Sequence, residues 1–249
     1  MKMTFPFGLN PYVEDKGHCA DAYIEVAEGY VPIEFADISS LYFPNTEGMA
    51  PATSPGLVLL PQVNERTMKD ACEYLEAMNF FDYFQPLSTD EMAIIESDSF
   101  RRNPRTKAGK VKEQNDVVLS TAFARDSDRV IEDFIDPSAG ILHLAVELKG
   151  SGIVPYSFLT ADFFLSELRF LKEPGAPPCL AEPLFSVIEE LSIENIQAAV
   201  DSAATRNLFA NYLPLTEIEA ASYQAESVDW PPRTKNAKRY RWLHNRLTW

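Results

Sequence analysis

Cysteine is scarce, with 3 among 249 residues. Cys19, Cys72 and Cys179 are far apart and form no CxxC pair, so neither a disulfide framework nor a zinc knuckle is indicated. Long hydrophobic runs are also missing. Leu57-Val58-Leu59-Leu60 and Phe163-Phe164-Leu165 fall far short of the ~20 residues that a membrane helix requires. The N-terminus is broken by Pro6 and has no apolar stretch of signal-peptide type. These absences together predict free thiols in a reducing, cytoplasmic setting, with no membrane span and no processed leader.

Catalytic signatures are absent as well. There is no GxGxxG, HExxH or GxSxG and no calcium-binding loop. Ala108-Gly109-Lys110 lacks the upstream glycine of a phosphate loop and has Val111 where a hydroxyl is needed. Only 3 histidines occur, at positions 18, 143 and 244. His18 and Cys19 are neighbours on a chain that reads as extended, so they point to opposite faces. No internal repeat is evident, and no cofactor is implied.

What the chain has in quantity is negative charge: 37 acidic against 22 basic side chains, net -15. Such a balance favours solubility, resists non-specific nucleic-acid binding and steers toward basic partners. The charge is segregated. Residues 1–100 and 113–228 each carry net -13, whereas 101–112 carry +6 and 229–249 carry +5. The first basic island, with Arg101, Arg102, Arg105, Lys107, Lys110 and Lys112, lacks apolar periodicity and reads as an exposed loop over 101–115. The second reads as a basic aromatic C-terminal helix over 229–249. Tyr240, Leu243 and Leu247 share one of its faces, and Lys238, Arg239, Trp242, Arg246 and Trp249 gather on the other. Tryptophan and arginine are the usual interface anchors, so both islands are candidate partner-binding segments. A protein partner is expected first, and nucleic acid could also reach these residues.

Periodicity predicts a hairpin from Ala22–Val26 and Tyr30–Phe35, a buried strand at Gly56–Leu60 and an amphipathic helix at Thr67–Met78. Ser88 with Glu91 and Thr216 with Glu219 are capping boxes, each opening a helix. Strands follow at Val117–Phe123 and Gly140–Lys149. Helices are expected at Thr160–Lys172, Pro183–Leu191 and Ile193–Phe209. The fold class is therefore α+β, a mixed sheet with hairpins in the first two-thirds and a helical C-terminal third. The chain reads as one unit over 1–249. Residues 101–115 are where it would divide if it formed two.

One constellation points to chemistry. Val130–Asp136, the turn-like Pro137-Ser138-Ala139-Gly140 and Ile141–Lys149 read as strand, turn and strand, although 130–135 also has helical spacing. Asp136 ends the first arm, and Glu147 and Lys149 lie two apart on the second. This pattern resembles the D…ExK core of the PD-(D/E)xK nuclease superfamily, with Asp-Pro in place of Pro-Asp. The resemblance spans about 14 to 20 residues. It implies that Asp136 and Glu147 ligate magnesium, that Lys149 acts on the attacking water, and that Glu113 or Glu132 adds an acid. Two functions are thus in view. One is a non-catalytic acidic protein that binds a basic macromolecule, of the inhibitor, immunity, nucleic-acid-mimic or assembly-subunit type. The other is a magnesium-dependent nuclease.

Overall fold

A computed structural model describes residues 2–37, 40, 56–97, 117–120, 135–136, 138–149 and 152–215. The class is α+β. Two sheets carry the described strands. The first holds β1 (Lys2–Thr4), β2 (His18–Val26), β3 (Gly29–Ala36), β4 (Leu57–Leu59) and β8 (Leu180–Ala181), in that spatial order. The second holds β5 (Val117–Ser120), β6 (Ile141–Leu148), β7 (Gly152–Thr160) and β9 (Phe185–Ile188), also in that order. Five helices accompany them among the described residues: α1 (Val13–Lys16), α2 (Glu65–Ala77), α3 (Thr89–Ser97), α4 (Ala161–Phe170) and α5 (Ile193–Thr205). None of them is long and apolar enough to cross a membrane.

Local chemistry accounts for the helix boundaries. Asn64 caps α2 reciprocally: its Oδ1 accepts from the Thr67 amide at 2.9 Å, and Thr67 Oγ1 accepts from the Asn64 amide at 3.1 Å. Met68, Ala71, Cys72 and Leu75 then recur at helical spacing and are buried. Ser88 and Glu91 form the expected capping box ahead of α3. Ser192 caps α5 by accepting from the Asn195 amide.

The expectation of a helix over Pro183–Leu191 fails. Phe185-Ser186-Val187-Ile188 is a strand with every residue buried. A short apolar run has no decisive period, and β9 is covered on both faces, so the alternation that marks a half-exposed strand is lost. β7 escaped the sequence reading because Pro155 lies inside it. Within that strand, β9 pairs only from Ser157 onward. At Pro155 the side facing β9 thus needs no ladder donor, so the missing N–H is tolerated.

The structure also reveals an internal duplication that the sequence reading missed. β2 and β3 form an antiparallel hairpin, and β3 runs parallel to β4. β6 and β7 form a second hairpin, and β7 runs parallel to β9. Each parallel strand leads to a capped helix of 13 residues, α2 or α5. Each helix ends before an asparagine in the left-handed region, Asn79 (φ 56°) or Asn207 (φ 54°). A single 3-10 turn follows, Phe80–Tyr83 or Leu208–Asn211. The chain then returns to its own hairpin, where Leu87 exchanges both backbone hydrogen bonds with Tyr30 and Leu215 does so with Ile153. At the start of β3 and β7, Gly29 and Gly152 have positive φ, and a Cβ on either would strike the Leu87 or Leu215 carbonyl oxygen. Once aligned this way, the sequences show the kinship. Gly29-Tyr30-Val31-Pro32-Ile33-Glu34-Phe35 matches Gly152-Ile153-Val154-Pro155-Tyr156-Ser157-Phe158, and Pro86-Leu87 matches Pro214-Leu215.

The two halves meet about a pseudo-two-fold axis. Phe84 and Tyr212, equivalent residues, form an antiparallel bridge with their rings 5.3 Å apart. The flanking bonds are reciprocal: the Gln85 amide donates to Asn211 O and the Leu213 amide to Tyr83 O, both at 2.9 Å. β8 crosses from the second half to pair with β4 of the first. The largest apolar cluster draws on both sheets and on α2 and α5, and a second cluster packs under α4.

The paired asparagines yield a prediction. A left-handed residue with a Cβ costs roughly 1–2 kcal/mol, and asparagine is among the residues that tolerate it. Asn79→Ala and Asn207→Ala should each lower stability by about 1 kcal/mol in denaturant titrations, while Asn79→Gly and Asn207→Gly stay near wild type.

Candidate functional site

An open groove of about 630 Å³ lies on the first half, lined by Lys2, Glu25, Val26, Ala27, Glu76, Asn79, Phe81 and Asp82. β1 and the β2–β3 turn form one wall. The C-terminal end of α2 and the 3-10 turn after Asn79 form the other. Lys2 Nζ meets Glu25 Oε2 at 3.0 Å, and this hydrogen bond, with the attraction between the charges, raises the lysine pKa. The lining thus has three carboxylates for one ammonium.

The duplication provides an internal control for this groove. By strand register and helix position, the second half has Val118 for Lys2, Glu147 for Glu25, Ala204 for Glu76, Asn207 for Asn79, Phe209 for Phe81 and Ala210 for Asp82. The asparagine and phenylalanine, which shape the turn, are the same in both halves. The acids at 76 and 82 are alanine in the other copy. The second half thus forms the same helix and turn with alanine at both places.

A second polar constellation is internal. His143 Nδ1 lies 2.9 Å from Ser157 Oγ, which donates to Glu182 Oε2 at 3.3 Å. Ser157 and Glu182 are buried, and burial pushes the Glu182 carboxyl up to about 8, with the Ser157 bond opposing the shift. Serine is the middle member and has no accessible surface. A nucleophilic triad needs histidine between serine and acid and a serine open to substrate, and these three residues do not have that arrangement. In the first half His18 Nε2 meets Glu34 Oε1 directly at 2.7 Å, with both side chains partly exposed. Glu34 occupies the position of Ser157.

The residues of the nuclease-like pattern take these positions. Asp136 is exposed and accepts from the Ser138 amide and hydroxyl at 2.9 and 2.7 Å, bonds that lower its pKa. It precedes the turn that enters β6, whereas Glu147 is exposed near the far end of that strand. Ile141 to Glu147 alone covers ~20 Å of extended chain. Lys149 is exposed in the turn beyond β6. Among the described strands the neighbours of β6 are β5 and β7, and neither carries Asp136. Val130–Phe134, Glu113 and Glu132 lie outside the described residues, as do both basic islands and the Thr216–Glu219 capping box. No group of three or more potential metal ligands occurs among the described residues.

Sequence reasoning did not find the groove, Ser157 or Glu182. A signal existed in the repeated Gly-x-Val-Pro of β3 and β7, which would have aligned the halves and exposed their differences. No family model, curated protein or solved structure matches the chain.

The cysteines are free and buried. Burial, aided by Glu76, pushes the Cys72 thiol up to about 12, and burial raises Cys179 further. Thiolate is the reactive form. A thiol reagent at pH 8 should therefore label the native protein no faster than it unfolds and label all three cysteines in denaturant. Rapid stoichiometric labelling of the native state would contradict this packing.

Proposed function

We propose that the chain is a non-catalytic interaction protein that binds a basic surface of another macromolecule, with the acidic groove of the first half as its principal contact. An inhibitor, an immunity partner, a nucleic-acid mimic or an assembly subunit would all work in this way. The observation that carries the reading is the internal comparison: Glu76 and Asp82 border an open groove where the equivalent positions of the second half are Ala204 and Ala210. The wider composition supports it, since the described residues carry 25 acidic and 8 basic side chains, most of the acids exposed or half-buried. A field of that sign raises the association rate of a cationic partner and falls off with salt. A protein partner in the cytoplasm fits this chemistry better than nucleic acid, whose phosphates the same field repels. The basic islands at 101–112 and 229–249 would then add contacts at the rim or to a second, acidic surface.

The competing reading, a magnesium-dependent nuclease of PD-(D/E)xK type, has no observation of its own beyond the sequence pattern. Magnesium-dependent cleavage abolished by Glu147→Gln would replace the binding reading with it.

The test uses full-length protein and an arginine-rich peptide as probe, followed by partner capture from the native host. An exposed ion pair contributes ~0.2–1 kcal/mol. Glu76→Ala with Asp82→Ala should therefore weaken peptide binding about fivefold at low salt, with the difference shrinking as salt rises. Ala204→Glu with Ala210→Glu should strengthen it. Identical affinities for wild type and the groove double variant would sink the proposal.

A further inference from the structure

Glu182 occupies an unusual place. It follows β8, which pairs with β4 in the first sheet, and precedes β9, which pairs with β7 in the second. The segment Leu180–Ile188 is thus the described crossover between the sheets. The neighbouring strands present no charge to it: β4 is Leu-Val-Leu and β9 is Phe-Ser-Val-Ile. On β7, Tyr156 lies on the other face and bonds Ser186 at 2.7 Å, leaving Ser157 as the group that reaches the acid. On β6, His143 faces it through Ser157. No charged side chain is among the causes of the Glu182 shift. Its second oxygen, Oε1, is buried with no hydrogen-bond partner among the described residues.

We propose that the His143–Ser157–Glu182 chain is a proton-linked latch that holds the inter-sheet crossover closed while Glu182 is neutral and loosens it when the carboxyl must ionise. The polarity of the chain follows from its members. Ser157 donates to Glu182, so it accepts from His143, which must then carry its proton on Nδ1. That arrangement serves both the neutral and the ionised acid. The carboxylate form, however, would have one hydrogen bond and no countercharge in a buried site, which is the costly state. Opening the crossover exposes Glu182 to water, where its carboxyl returns to the usual range near ~4.3. Between about pH 4.5 and 8 the closed state keeps a proton that the open state has released. Opening therefore becomes about tenfold more favourable per pH unit across that window, and the effect levels off above it. The latch is tightest in acid and weakest in mild alkali.

Native-state amide exchange on the full chain tests this, after correction for the intrinsic pH dependence of exchange. Amides of Leu180–Ile188 should lose protection about tenfold per unit between pH 5 and 8, and Glu182→Gln should flatten that slope. Amides of α2, which the crossover does not release, should stay more protected than those of Leu180–Ile188 at every pH. Equal slopes in wild type and variant overturn the latch, as does protection of the crossover equal to that of α2 throughout, which would mark global unfolding instead. Should the variant fold poorly, infrared spectra of the wild type decide the matter. A carboxylic-acid carbonyl band should persist at pH 7 and fade above pH 9, and its absence at pH 7 overturns the proposal.

Discussion

The contact on which the architecture depends is the antiparallel bridge between Phe84 and Tyr212. Each half contributes a small sheet and a 13-residue helix, and small units of this kind bury too little apolar surface to be more than marginally stable alone. At the bridge the equivalent segments of the two halves donate to one another, Gln85 to Asn211 and Leu213 to Tyr83. This reciprocal pattern is that of an isologous interface, here built within one chain. It brings both sheets and both helices to a common apolar cluster. The full burial of β4 and β9 then follows, since each is flanked by packed elements on both faces.

Because the halves share a fold, their differences separate what folding requires from what it permits. Asn79 and Asn207 agree, as do Gly29 and Gly152, Pro32 and Pro155, and Phe81 and Phe209. Each agreement has a backbone or packing cause: a left-handed turn, a carbonyl in the space of a Cβ, a strand stretch with one unpaired side, or a buried ring. Glu76 and Ala204 differ, as do Asp82 and Ala210. A solvated carboxylate and a methyl group are interchangeable at such places as far as the core is concerned. This comparison gives the groove more weight than its charge alone, because clustered surface acids are common in acidic proteins.

Elements with a strong local code were legible in the sequence. α2 was marked by Met68, Ala71, Cys72 and Leu75 at helical spacing, the first hairpin by its turn, and α3 and α5 by Ser88 and Ser192. Buried strands were not legible, because β9 carries no alternation and β7 contains Pro155. The duplication had sequence markers: the capping-box patterns Ser88-x-x-Glu91 and Thr216-x-x-Glu219 lie the same 128 positions apart as Asn79 and Asn207. Identity between the halves is concentrated in turn and packing residues, and insertions change the offset between their hairpins. A scan for composition or charge therefore misses it. Of the candidate sites, Glu147 and Lys149 were found as an exposed pair at a hairpin end, where the first half has Glu25. The Ser157–Glu182 contact was invisible because its members are 25 residues apart and meet only through the crossover.

That contact is also where the chain departs from the least costly solution. An apolar residue or glutamine at position 182 would avoid any penalty of ionisation. A buried oxygen left without a partner costs ~1–3 kcal/mol, an appreciable share of a stability of ~0.05–0.15 kcal/mol per residue. The first half shows a less costly way to place an acid opposite a histidine, since Glu34 contacts His18 directly at the surface and both side chains keep solvent. In the second half Ser157 stands at the strand position of Glu34, and the carboxyl of Glu182 lies on the crossover, inside the core. Burial ties the protonation of the Glu182 carboxyl to whether the sheets stay joined. The same pair of residue types thus has little leverage on stability in one half and governs the crossover in the other, and the difference arises from position alone.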